Sequence, residues 1–483
     1  MAPGDTARLL HRLTSYDANR EWTTPVDDPR VVQEFVANNL ERLPWQWKAY
    51  PDGLPELCLP RSWPAVEGSA AELLTGGCDA PARALDTAGL ARVLFLSAGV
   101  VRVAQRPYGA FRFRAAGSAG GRFPLEVYVA ARGVGGLDDG VHWYDPGAHA
   151  LRRTGPPPAG EATTIVLTGI PWRTGWRYAE RGFRHVYWDA GTVLAQALAV
   201  AESGGLRPRL FTVFPDASVT RLVGADGVHE FPLALLALGR GAPAIEPAGE
   251  AAQGEVDRAP FEFPLVTRAQ HAGDGEQLGE PWPSPGRLDA APPPSPPLDE
   301  VIRRRGSTRR MDAAATVPRA LLEWSLAASL RSVRIPHFVA VHAVDGMRPG
   351  LYRWPHLDEP VRAGDLREEL VFVCFDQALA GDAAFVLIAA VDGDDLSDRG
   401  YREAQLGAGL ASGRLQLAAY AAGVGASGMT FVDSEIERLL GEPLLGLLFT
   451  CVGVPAYRNR PGGTPGEPAP MRTVEPIVRP RER

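Results

Sequence analysis

The 483-residue sequence predicts an α+β fold built twice in one chain. Three matched motifs carry that reading. Gly140-Val141-His142-Trp143-Tyr144 is echoed 210 residues later by Gly350-Leu351-Tyr352-Arg353-Trp354. Arg181-Gly182-Phe183-Arg184, with Gly191 beyond it, returns 218 residues later as Arg399-Gly400-Tyr401-Arg402 with Gly409. Residues 216–224 return 217 residues later as 433–441. Ordered matches at nearly one offset mark an internal duplication of a unit of about two hundred residues.

Within each copy, short β-branched runs alternate with one long apolar helical run. Residues 1–64 form an N-terminal extension in which 31–43 reads as an amphipathic helix. The first unit, 65–241, holds a strand at 125–131 (LEVYVAA) and a hairpin at 141–144 and 151–153. A strand at 164–168, a long helix at 186–201 and a closing core strand at 231–238 follow. Residues 242–297 are rich in Pro, Gly, Glu and Ala and read as a semi-rigid linker, with Phe261-Glu262-Phe263-Pro264 able to pin it to a neighbour. The second unit, 298–462, repeats the order with 338–342, 384–390, 407–420 and 445–452, and 463–483 is a tail.

Composition excludes several classes. An apolar fraction of 45%, a charged fraction of 22% and a mean hydropathy of −0.11 describe a soluble globular chain. A formal net charge of −7 argues against a nucleic-acid binder. Residues 90–104, the most apolar stretch, are interrupted by Arg92 and Arg102 and are too short to span a membrane. The first twenty residues lack a signal-peptide layout, so the expected location is the cytoplasm. Cys58, Cys78, Cys374 and Cys451 have no CxxC spacing and read as reduced structural thiols, and the scattered histidines predict no metal site. Lys48 is the only lysine; the other 49 basic residues are arginines.

One cluster stands out against that acidic balance. Arg303 to Arg310 reads RRRGSTRR, and the forks of Arg305 and Arg309 with the Ser307 hydroxyl between them suit a phosphate dianion. A solvated basic run is the plain alternative.

Arg305-Gly306-Ser307-Thr308-Arg309 resembles the phosphate-binding R-x-S-x-R of the FMN-dependent nitroreductase superfamily. Residues 114–126, from Arg114-Ala115-Ala116-Gly117-Ser118-Ala119-Gly120-Gly121 to Leu125-Glu126, resemble the loop R-x-x-P-S-x-G-x-L-x-P-L-E of its azoline-dehydrogenase branch, with Gly117 in place of the proline. Residues 175–184 are similar to that branch's K-Y-G-x-R-G-Y-R. The branch oxidises thiazolines and oxazolines to azoles in ribosomally made peptides of the thiopeptide and streptolysin type.

The resemblance implies a tandem nitroreductase-like fold closing as an intrachain pseudo-dimer. FMN would be held through its phosphate by Arg305, Ser307 and Arg309, with Arg458 and Arg460 assisting. Arg114 and the backbone of Ser118, Ala119, Gly120 and Gly121 would stand at the flavin ring, and Ser427, Gly428 and Met429 at flavin N5. In the family each flavin takes the phosphate motif from one unit and the ring loop from the other. Here the first unit has Leu10-His11-Arg12-Leu13-Thr14-Ser15-Tyr16 where its phosphate motif would be, and the second has no room for a ring loop between Ala328 and His337. One composite site is therefore expected, and one FMN per chain.

The branch's Lys-Tyr pair is Arg177-Tyr178 here. Arginine stays protonated and cannot be a base, so Tyr178 is the expected base, with Arg177 lowering its pKa or holding the peptide. Asp189 and Glu180 are lesser candidates. Expected partners are an azoline-containing precursor peptide and the cyclodehydratase complex that makes it, with the pseudo-dimer monomeric or further associated. A small-molecule nitro- or ene-reductase fed by NAD(P)H, and a non-catalytic docking subunit of a peptide-modifying complex, remain as alternatives.

Overall fold

The computed structural model describes residues 3–77, 80–471 and 473–479. Cys78 lies outside the described residues. Two antiparallel sheets of the same topology carry the two halves. The first runs Glu56–Cys58, Ala150–Gly155, Gly140–Asp145, Leu125–Ala131, Thr164–Gly169, Phe231–Leu238, Pro208–Phe211. The second runs Arg362–Ala363, Gly350–Arg353, His337–Val341, Phe385–Val391, Leu445–Gly453, Gly425–Met429. Apart from the extra edge strand Glu56–Cys58, each strand of one has its counterpart at the same place in the other. The central strands are buried along their whole length. They therefore read as continuous apolar runs rather than alternating ones.

Between the sheets lie two long helices, Gly182–Ser203 and Asp398–Ala421. They cross where neither has a side chain. A Cβ on Gly191 would stand 2.3 Å from the Leu410 nitrogen, and one on Gly409 would stand 2.4 Å from the Trp188 oxygen. Only glycine lets the backbones approach this closely.

The repeated arginine and aspartate motifs close the same interface by exchange. Arg181 and Arg184 of the first half reach Asp433 of the second at 2.5 and 2.6 Å. Arg399 and Arg402 of the second half reach Asp216 of the first at 2.7 and 3.1 Å. The pattern that marks the duplication in the sequence is thus a reciprocal clasp between its halves.

Both ends of the chain join this interface. Helix Asp5–Leu13 sets its first turn on the Asp398 carboxylate, which accepts from the Gly4 and Ala7 nitrogens. After it, the His11 carbonyl, Thr14 Oγ1 and Ser15 Oγ accept from Arg184, and the Tyr16 nitrogen donates to Asp433. Near the other terminus, Ala469–Pro470 pairs parallel with Val100–Arg106, which forms a hairpin with Gly109–Arg114.

Two expectations change. Residues 31–43 contain only a 3-10 turn, Leu40–Arg42, instead of an amphipathic helix. Their backbone pairs outward, Val32 N to Glu180 and Asn38 N to the Trp176 carbonyl, while Val36 and Leu40 stay exposed. Tertiary partners replace the i to i−4 ladder. The Pro/Gly-rich stretch, in turn, is not a plain spacer. Pro264, preorganised for a first helical turn, opens helix Pro264–Ala272, which buries Leu265, Val266 and Ala269. Phe263 is buried just before it, packed against Phe35 and Phe261.

Asp433→Asn leaves two buried guanidinium groups facing a neutral amide, and removing one partner of a buried charge cluster costs about 3–5 kcal/mol. A lower midpoint in urea unfolding is the expected outcome. Arg181 and Arg184 hold the Asp433 carboxyl down at about 2 against the opposing effect of burial. Its contribution is therefore full above the ordinary carboxylate range and is lost only as pH falls through that value.

Candidate functional site

Arg305 ends helix Leu298–Arg304 and crosses from the second half into the first. Its guanidinium is buried, donating from Nε and Nη2 to the Ala115 carbonyl at 3.2 and 2.5 Å, and from Nη1 to Gln416 Oε1 at 3.1 Å. A Cβ on Gly117 would lie 3.4 Å from the same Nη1. The phosphate-motif segment and the ring-loop segment are therefore in direct contact.

The 305–309 segment is fastened from below. Tyr420 Oη donates to the Gly306 carbonyl at 2.9 Å and lies 3.1 Å from Thr308 Oγ1, and Asn459 Nδ2 donates to that same Oη at 2.8 Å. The Arg309 nitrogen donates to Tyr457 Oη at 2.9 Å, and the Thr308 nitrogen to the Ala426 carbonyl at 3.0 Å. Among the described residues, the Ser307 hydroxyl and the Arg309 guanidinium have no hydrogen-bond partner, and both residues are half-buried. These are the groups a dianion would take. Arg458 is exposed nearby in the chain. Arg114 points elsewhere: its guanidinium donates to the Leu125 and Gln46 carbonyls at 2.6 and 3.1 Å.

The loop after Gly109–Arg114 turns through Gly120 and Gly121, at φ 59° and 66°. Asp189, on the first long helix, accepts from Ser118 Oγ at 2.5 Å and from the Ala119 nitrogen at 2.9 Å. Thr192, one turn on, donates to the Gly117 carbonyl at 2.9 Å. Burial raises the Asp189 carboxyl to about 7, against the two hydrogen bonds that favour its charge.

Helix Pro171–Tyr178 delivers Tyr178 to the other side of this loop. A Cβ on Gly120 would stand 2.7 Å from Tyr178 Oη and 2.9 Å from Arg177 Cδ, so the loop backbone lies flat against the pair. Burial raises the Tyr178 pKa, and the charges of Arg177 and Arg309 partly offset it. His185 packs edge-on against the Tyr178 ring, centroids 4.1 Å apart, and its other neighbour is Trp188 at 4.5 Å. Burial and the Arg181 and Arg184 charges keep His185 neutral, and neither ring nitrogen has a partner among the described residues. Beyond Tyr178 opens a cleft lined by Tyr16, Trp22, Val26, Phe35 and Glu180. Glu180 accepts from the Val32 nitrogen at 2.7 Å, and burial raises its pKa.

The remaining wall is the edge strand Gly425–Met429. Ser427 and Met429 are buried, whereas Gly428 is exposed, and a Cβ there would meet nothing nearer than Ser412 Oγ at 3.8 Å. Under it runs a buried polar chain in which Thr450 Oγ1 donates to Ser412 Oγ at 2.9 Å and Gln416 Nε2 to Ser412 at 3.3 Å. Gln416 then meets Arg305.

The opposite face of the pseudo-dimer is built differently. The 218-residue offset carries Asp189 to Gly407, Thr192 to Leu410, and Ser412 and Gln416 back to Leu194 and Leu198. Polar groups become leucine or glycine throughout. The edge strand there, Pro208–Phe211, is covered by the chain itself, since the Trp282 nitrogen donates to the Leu210 carbonyl at 2.6 Å. The Trp282 ring lies 3.5 Å from where a Gly407 Cβ would be.

Sequence reasoning brings together Arg305, the 117–121 loop, Tyr178 and Gly428, but it missed Gln416, Ser412, Thr450, Tyr420, Asn459 and His185. The first two could have been found by comparing the repeats, because each is polar where its counterpart is leucine. Tyr420, Asn459 and His185 carry no such signal. No cluster of His, Cys, Asp or Glu suited to a metal occurs among the described residues, nor is any helix there long and apolar enough to cross a membrane.

No family model matches the chain. A Methanocaldococcus jannaschii protein named as a nitroreductase is 29% identical over 143 residues, which cover 26% of this chain and 71% of that protein. A crystal structure named as a nitroreductase from Anabaena variabilis superposes with a TM-score of 0.70 at 24% identity, covering 93% of this chain and 99% of that one. The chain therefore has a nitroreductase fold along nearly its whole length. A chain of the E. coli microcin synthetase complex with truncated pro-MccB17 bound aligns over 34% of this chain and 66% of that one, with a TM-score of 0.27, too low to bear on the fold.

Gly120→Ala forces a methyl against Tyr178 Oη at a left-handed φ. The expected cost is about 1–3 kcal/mol, read as a lower unfolding midpoint than that of Gly133→Ala. Gly133 also has a positive φ, 63°, but no atom within 4 Å of its Cβ position.

Proposed function

We propose that the chain is an FMN-dependent oxidoreductase that oxidises azolines of a modified peptide to azoles. The observation that carries this is the contact of Arg305 from the later half with Ala115 and Gly117 of the earlier one, with Tyr178 against the same loop. The fold and the motif resemblances support it.

The residues fit the cofactor. Ser307 and Arg309 offer unpartnered donors for a phosphate dianion, and the arginine fork can meet it bidentately. Gly428, open on its outer side, lets a flat ring approach the edge strand. Bound FMN supplies a hydride acceptor at N5. On the opposite face the corresponding positions are leucine or glycine and Trp282 covers the edge strand, which supports one FMN per chain.

Aromatising an azoline removes a proton from one ring carbon and a hydride from its neighbour, so a base must stand across the substrate from the flavin. Tyr178 holds that position in this reading, at the end of the aromatic cleft. Burial keeps its hydroxyl protonated at neutral pH; Arg177 and Arg309 lessen the cost of the phenolate. Arg177 itself holds a fixed charge and passes no proton.

Four outcomes test this. The purified protein should be yellow and release one FMN per chain on denaturation; two equivalent flavins or none would sink the composite site. Incubation with a cyclised precursor peptide should remove about 2 Da per ring in the mass spectrum. Because the base must first lose its proton and its pKa is raised, turnover should climb through neutral pH, about tenfold per unit. Tyr178→Phe should keep flavin and lose roughly 10²–10⁴ of the rate. Rapid flavin reduction by NAD(P)H with no change in the peptide would favour the small-molecule reductase.

A further inference from the structure

We propose that Asp189 is a positioning residue for the loop 117–123: its carboxylate clamps the loop in the conformation that faces the flavin, and taking up a proton opens the clamp. The proposal rests on the reading of that loop as the flavin-facing one.

The hydrogen bonds fix the direction of each donor. Ser118 Oγ accepts from the Phe123 nitrogen at 2.7 Å, and its single proton goes to Asp189 Oδ2 at 2.5 Å. Asp189 Oδ1 takes the Ala119 nitrogen at 2.9 Å. Both carboxylate oxygens are therefore engaged on one loop, and both bonds need acceptors. A protonated oxygen would face the Ser118 hydroxyl with a hydrogen of its own, and the Ser118–Phe123 bond depends on that hydroxyl's orientation.

The loop is one that requires holding. Gly120 and Gly121 are left-handed, and Phe123 has a φ of 49°, a region bulky side chains adopt only when the surroundings impose it. The repeat supplies an independent observation. At the counterpart of Asp189 stands Gly407, in the half that crosses from Arg331 to Pro336 without such a loop. The carboxylate occurs where the loop occurs.

The neighbours leave a clear assignment. Tyr178, from the preceding helix, is the titratable group in electrostatic range of Asp189 and is itself within range of Arg177 and Arg309; His185, one turn back, packs on the Tyr178 ring. Arginines stay charged, burial raises Tyr178, and burial with nearby arginines keeps His185 neutral. Asp189, raised to about 7, changes its charge near neutrality, whereas Glu180, which burial also raises, binds the Val32 nitrogen and not this loop. The clamp is therefore present above that value and lost below it.

Amide hydrogen exchange of the full-length chain, corrected for intrinsic rates, reads the loop without any cofactor. Protection of peptides covering 117–123 should fall about tenfold as pH drops through neutrality, the worth of one charge-assisted hydrogen bond. Asp189→Asn should show the low-pH protection throughout, with no inflection. Ser118→Ala should lower protection yet keep an inflection, because the Ala119 bond remains. Wild-type protection that is flat in pH, or an inflection that survives in Asp189→Asn, overturns the proposal; the Ser118→Ala series decides the matter should Asp189→Asn not fold. FMN affinity, followed by quenching of flavin fluorescence, should weaken over the same pH range. A loop that opens while FMN affinity stays constant overturns the flavin-facing reading alone, and an Asp189 clamp without a flavin role is then what remains.

Discussion

The exchange of Asp433 and Asp216 for the opposite half's arginine pairs is the constraint on which the rest depends. Each aspartate accepts from two guanidinium groups across the interface, and all four arginines sit on the two central helices or at their start. Buried charges of this kind give little net stability, because desolvation consumes most of the attraction, but they tolerate no alternative register. With Gly191 and Gly409 letting the helices touch, the ion pairs fix both the crossing point and the rotation. Arg305 can reach Ala115 only because that placement is fixed.

A symmetric clasp holds an asymmetric pair of faces. Where Asp189, Thr192, Ser412 and Gln416 line one groove, Gly407, Leu410, Leu194 and Leu198 stand on the other side. A polar groove without its ligand partners is costly to bury, whereas leucines with the Trp282 ring over them are not. The chain has thus turned one of its two equivalent clefts into core. The stretch that does so, around Trp282, belongs to the Pro/Gly-rich segment, so what composition marks as a linker also serves as filling.

How much of this the sequence discloses depends on where each group finds its partners. The strands were legible because fully buried strands need apolar residues throughout, and 125–131, 231–238 and 385–391 supply them. The long helices were legible from long apolar runs free of proline, despite the interior glycines Gly191, Gly407, Gly409 and Gly413. Residues 31–43 misled because their apolar spacing suits a helix, yet Val32 and Asn38 give their N–H groups to Glu180 and Trp176, partners 148 and 138 residues away. Helix Pro264–Ala272 was hidden by surrounding prolines and glycines, although its own residues are ordinary helix formers behind Pro264. The contact of loop 117–121 with Arg305 and with Tyr178 could be expected from motif resemblance and the repeat offset. Tyr420 and Asn459, which hold the 305–309 segment from below, are defined by a single shared hydroxyl and leave no trace in any local pattern.

The solitary lysine sharpens the chemistry at Arg177. Lys48 is buried with Nζ 2.5 Å from Glu230 and 2.8 Å from Tyr128 Oη, over the rings of Tyr50 and Tyr128. A compact ammonium fits that cage; a planar guanidinium with five donors would not find acceptors for them. A chain that otherwise uses only arginine therefore retains lysine where shape demands it. At position 177 the demand is different. An arginine there cannot trade protons, but it keeps its charge beside Tyr178, and its effect on the phenol adds to that of Arg309. A lysine in the same place is a group that can give up its proton and, with it, the support of the phenolate. Under the proposed function, arginine in place of the branch's lysine leaves proton transfer to one hydroxyl and makes the electrostatic support of that hydroxyl permanent.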